Sequence, residues 1–100
     1  MPKIIHAVLM TVRPEADPQD VAAFFETTRS LASVEGVESL VLGPDVQHRP
    51  HCPYTHMAVF VFRDKAAALY FKTAPAHLAH KARFRDRVLA SSTSVDIEME

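Results

Sequence analysis

One hundred residues is the size of a single domain, long enough to bury roughly 60–70% of the unfolded chain's surface without disulfide or metal staples. Eleven basic against twelve acidic side chains leave a formal net charge of −1, which removes the electrostatic reason to propose a nucleic acid or an anionic membrane as partner. Cys52 has no second cysteine to pair with, which fits a reducing, cytoplasmic setting, and no segment approaches the roughly 20 apolar residues that a spanning helix needs.

The opening apolar run contains His6 and passes straight into Thr-Val-Arg-Pro-Glu without a small-residue cleavage site, so it reads as a strand rather than a signal peptide. Over residues 3–13 it is apolar on both alternating sets, Ile4, Val8, Met10 and Val12 against Ile5, Ala7 and Leu9, the pattern of a central strand covered twice. Asp17-Pro18-Gln19-Asp20 then supplies a cap, a proline for the first helical position and an acid in the first turn. Val21, Phe24, Phe25, Thr28, Leu31 and Ala32 follow at helical spacing, and Gly36 is the natural stop. Val37 to Leu42 reads as a second strand, and Gly43 through Pro53 as a polar loop.

Tyr54 to Phe62 is a third strand, apolar on both faces, which belongs beside the first. Asp64 caps a short helix over Lys65 to Phe71, and Pro75 breaks it and starts another that carries His77, Phe84 and Val88 on one stripe. Val95, Ile97 and Met99 alternate with Asp96, Glu98 and Glu100 in a last strand with one polar face. The order is β-α-β-β-α-β over one domain, residues 1–100: an α+β fold with an antiparallel four-stranded sheet and helices on one face. Helices cover only one face, yet both central strands are apolar on both. A second copy of the sheet would satisfy the open face, so the pattern predicts a homodimer closed like a barrel.

Three histidines fall in predicted ordered structure: His6 in the first strand, His56 in Tyr54-Thr55-His56-Met57 and His77 in Ala74-Pro75-Ala76-His77. Histidine is the side chain whose unperturbed charge change falls near neutral pH, so their convergence would point to proton transfer. Each has a plain alternative: a local bond at a helix start for His77, and a structural hydrogen bond inside the sheet for His56 and His6. His77 with His80, and His48 with His51 and Cys52, lack a second pair at structural-zinc spacing, so no metal is assigned. With only Gly36 and Gly43 there is no glycine-rich phosphate loop, and no cofactor is implied. The four cations in Lys81 to Arg87 fit a solvated helix face, from which an Arg or Lys is able to meet the carboxylate of an acidic substrate.

Taken together, Ile5-His6-Ala7-Val8-Leu9, the helix start from Pro14 to Asp20, Tyr54-Thr55-His56, Pro75-Ala76-His77 and Val95-Asp96-Ile97 resemble the stress-responsive A/B barrel domain (Dabb) family over nearly the whole chain. The resemblance implies a ferredoxin-like fold forming a dimeric α+β barrel. In polyketide-cyclising members, such as olivetolic acid cyclase, it implies a pocket between sheet and helices. By that resemblance His77 is the general base, with supporting roles for His56 as a second catalytic residue and for His6 on the substrate; Tyr70, Phe71, Phe60 and Phe84, with Phe62, are the residues expected around an apolar, carbonyl-bearing ligand. Two departures stand out. Ala74 occupies a place where the family commonly has histidine, and the position that supplies a tyrosine hydroxyl falls on Phe71, with Tyr70 one residue away and so turned by about 100° on a helix. The expected reaction is cofactor-independent proton abstraction leading to aldol-type cyclisation or isomerisation. The alternatives are a non-catalytic stress-response or structural dimer, marked by a filled interior, and a cofactorless monooxygenase on the same scaffold.

Overall fold

In the computed structural model, which describes residues 2–99, the chain runs through β1 (Ile4–Val12), α1 (Pro18–Ser30), a 3-10 turn (Leu31–Ser33), β2 (Val37–Pro44) and β3 (His56–Phe62). It then continues through α2 (Lys65–Thr73), α3 (Pro75–Val88) and β4 (Leu89–Glu98). The strands form one antiparallel sheet in the order β2-β3-β1-β4, so the two strands apolar on both faces are the central pair. The expected helix starts hold at atomic detail. Asp17 accepts a hydrogen bond from the Gln19 amide at 2.8 Å with Pro18 next in line, and Asp64 accepts from the Ala67 amide at 2.9 Å.

Several boundaries differ from the sequence reading: β2 runs on to Pro44 and α2 to Thr73, and three further differences matter more. The first helix ends at Ser30 and tightens into the 3-10 turn before Gly36, whose φ of 92° makes the chain reversal into β2. Tyr54 and Thr55 precede β3 rather than opening it. β4 begins at Leu89, immediately after α3, well ahead of the alternation at Val95. Its Ser91-Ser92-Thr93-Ser94 stretch carries no apolar signal and is strand because β1 pairs with it throughout. Glu100 lies outside the described residues.

The register decides what faces what. His6 sits opposite Phe60 on one side and Asp96 on the other, so these three share the face that the helices cover. The core on that face is built from Phe24, Phe60, Phe62, Phe71, Phe84 and Val88, all at most 4% exposed. The opposite face carries Ile5, Ala7 and Leu9 from β1 and Met57, Val59 and Val61 from β3. Beside them lie Val95 and Ile97 of β4 and Val41 of β2, which are 57%, 53% and 69% exposed.

Candidate active site

Between the sheet and the helices lies a cavity of about 380 Å³. Its floor is aromatic, with Phe60, Phe62 and Phe71 around it, and α1 contributes Phe24, Thr28 and Leu31. One side is α3, presenting His77, His80, Lys81 and Arg85; the other is β4, presenting Ser92, Ser94 and Asp96. His6 rises from the floor with its ring 5.8–6.2 Å from the centres of Phe60, Phe62 and Phe71.

Proline creates the setting of His77. Pro75 cannot continue α2, so the chain turns at Ala74 and brings the first turn of α3 back over the last turn of α2, where carbonyls have no helical partner. His77 Nδ1 lies 2.9 Å from the Phe71 carbonyl oxygen, and the imidazole stacks on the Phe71 ring at 4.3 Å. A carbonyl only accepts, so Nδ1 carries the hydrogen and Nε2 of the neutral ring keeps a free lone pair. Burial is the main cause that holds His77 below the ordinary histidine range; the Phe71 bond opposes it, while Lys81 and the neighbouring His6 add to it.

His6 Nδ1 is hydrogen-bonded to the Asp96 carboxylate, which fixes the ring between strands. Neither His77 nor His6 has a protein partner at Nε2 among the described residues, and neither Nε2 is sealed from solvent. His80, one turn beyond His77, is built differently. It is 7% exposed, stacks on Phe24 at 4.9 Å and meets the Thr28 hydroxyl at 3.1 Å. That hydroxyl donates its own proton to the Phe24 carbonyl at 2.7 Å, so His80 donates from Nε2 and its Nδ1 is left buried without a partner. Burial, with help from His77, lowers its pKa to about 4.

The cavity thus brings His77, His6, Phe71, Phe60 and Phe62 together and leaves three expected residues out. His56 shares the helix-facing side of the sheet, but its ring stacks on Phe25 at 4.5 Å and its Nδ1 lies 2.9 Å from the Thr55 hydroxyl, away from the cavity lining. Burial lowers its pKa as well. Tyr70 points outward and is 49% exposed, as the 100° offset from Phe71 requires. Phe84 is packed behind the cavity against Phe24 and His80.

Asp96, Thr28 and Lys72 belong to no motif that marks them as site residues in the sequence, and His80 stands out there only by its metal-ligand spacing to His77. Asp96 was within reach: it falls on the polar set of the last strand, which the antiparallel register puts in phase with His6. Among the described residues no group of three or more His, Cys, Asp or Glu side chains is placed to hold a metal ion, and no helix is long and apolar enough to cross a membrane.

The sequence matches the family model of the Stress Responsive A/B Barrel Domain, Dabb, over residues 4–99. The chain belongs to this family. No curated protein matches it by sequence. Solved structures similar to this Dabb domain include a hydroxynitrile lyase from Passiflora edulis, at 13% identity and TM-score 0.86, covering 99% of this chain and 94% of that one. A dimeric ferredoxin-like protein of unknown function from Thermobifida fusca is 18% identical with TM-score 0.82, covering 98% and 92%. SnoaB, a cofactor-independent oxygenase from Streptomyces nogalater, is 17% identical with TM-score 0.75, covering 100% and 95%. At these identities the likeness is one of fold, and the Dabb domain described here is ferredoxin-like α+β.

Proposed function

We propose that the cavity binds an apolar, carbonyl-bearing small molecule and that His77 removes a proton alpha to the carbonyl without a cofactor, the opening step of an aldol-type cyclisation or an isomerisation. The observation that carries this reading is the hydrogen bond from His77 Nδ1 to the Phe71 carbonyl, which leaves Nε2 as a neutral lone pair beside an aromatic floor. His6 supplies the second part. When protonated it keeps Nδ1–H on Asp96 and presents Nε2–H to a carbonyl oxygen, taking the polarising role for which Phe71 has no hydroxyl. A volume of about 380 Å³ falls within the roughly 300–1,000 Å³ of small-molecule pockets, which weighs against the filled interior of a purely structural protein. His56 and Phe84 have packing places in this reading, and Tyr70 faces solvent.

The open sheet face is assigned to a second copy of the chain, a reading supported by its contiguous apolar side chains and by similar structures described as dimeric. The catalytic test is exchange of the alpha protons of 2-tetralone, a benzo-fused cyclic ketone, followed by NMR in deuterated buffer. The protein accelerates exchange, and His77→Ala reduces the acceleration by about 10²–10⁴-fold. Full exchange in that variant removes His77 from the mechanism. Oxygen uptake with a polyphenolic substrate identifies a monooxygenase instead, and neither exchange, oxygen uptake nor ligand binding identifies a non-catalytic dimer.

A further inference from the structure

We propose that the ligand is an amphipathic anion, whose apolar body lies on the phenylalanine floor while its acidic group is held at the cavity mouth by Lys81 and Arg85, with Lys72 completing the rim. The inference rests on the binding reading above and narrows its substrate class. These three cations line the cavity and are exposed, and none is within ion-pair distance of a carboxylate among the described residues. In a chain with twelve acidic side chains against eleven basic ones, that local imbalance is a property of the site rather than of the composition. Asp96 is the one carboxylate on the lining, and it is engaged by His6. Across the cavity Ser92 and Ser94 offer hydroxyls to the same group. Low-dielectric aromatic walls behind a cationic rim concentrate anions at the mouth.

The spacing on α3 turns the rim into a ruler. His77, Lys81 and Arg85 follow one another at four-residue intervals, so Lys81 lies about 6 Å and Arg85 about 12 Å along the helix axis from the base. The acidic group of the ligand therefore sits about one to two helical turns from the carbon that loses its proton. A carboxylate and a phosphate both satisfy this chemistry.

Binding of three probes with a common naphthalene body separates the possibilities: 2-naphthoate, 2-naphthyl phosphate and the neutral methyl 2-naphthoate, titrated by naphthalene fluorescence. Each exposed ionic contact changes affinity by up to about fivefold, so at low ionic strength at least one of the anions binds about tenfold or more tightly than the ester. The preference collapses in the Lys81→Gln, Arg85→Gln double variant and on raising salt to about 1 M, where the screening length falls to about 3 Å, while ester binding is unchanged. Preference for the carboxylate identifies a free acid as ligand, and preference for the phosphate identifies a phosphate monoester. Ester binding as tight as that of both anions overturns the anion class, a preference that survives in the double variant overturns its assignment to Lys81 and Arg85, and either outcome leaves the pocket standing. No binding of any probe, ester included, overturns the pocket reading and this inference together.

Discussion

The Phe71 carbonyl chooses the tautomer of His77, and the Thr28 hydroxyl chooses that of His80, yet the two imidazoles three residues apart end with different capacities. His77 is half-buried with Nε2 reachable; His80 is sealed, and its acceptor nitrogen meets nothing. The sealed histidine gives the fold a pH dependence. Above the ordinary histidine pKa of about 6.5 both folded and unfolded chains hold it neutral. As pH falls from there to about 4, the unfolded chain takes up a proton that the folded chain refuses, so stability drops with pH over that window and levels off below it. The loss is roughly 3 kcal/mol for a shift of this size. His77 and His56, also held low by burial, act in the same direction. Thermal unfolding followed by circular dichroism from pH 7 to pH 4 should show a falling midpoint, and His80→Gln should flatten that slope even while lowering stability at pH 7. A slope unchanged in the variant would assign the acid sensitivity elsewhere.

Between the 3-10 turn and β2, Gly36 leaves no room for a side chain. Its φ of 92° already disfavours a side chain, and a Cβ there would lie 2.4 Å from the Cβ of Ala67 in α2. Gly36→Ala is expected to cost about 2 kcal/mol or more, read as a lowered midpoint in urea unfolding. A glycine near the end of a helical run is visible in sequence, but its contact with Ala67 is not, because that contact depends on how α2 returns over the start of β2. The same distinction runs through the molecule. Asp17-Pro18, Asp64 and Pro75 announce their helices because capping and proline chemistry act within a few residues. Ser91 to Ser94 announces nothing, since its strand state comes from β1, about eighty residues away. At the site, His77 and His6 were legible as residue types in ordered elements. The exclusion of His56 and the burial of His80 came from the packing of Phe25 and Phe24, whose ring orientations no local pattern encodes.

At the scale of the whole molecule, the sheet has one face closed by helices and the other left apolar by Val41, Val95, Ile97 and the central strands. If the open face pairs with a second copy as proposed, Val95→Lys with Ile97→Lys converts that dimer to a monomer in light scattering coupled to size exclusion, since cations desolvated in such an interface are strongly unfavourable. A dimer that persists would place its interface elsewhere. One joint in the architecture has a mechanical consequence. Val88, wholly buried, ends α3, and Leu89 begins β4 with no spacer, so the helix bearing His77 and the strand bearing Asp96 meet like the arms of tweezers. Their shared pivot is clamped inside the protein. The strand arm is laced to β1 along its length and the helix arm is tied to α2 through the Phe71 carbonyl, so the span between imidazole and carboxylate is set by the fold at both ends and a change at the joint shifts the two groups relative to each other.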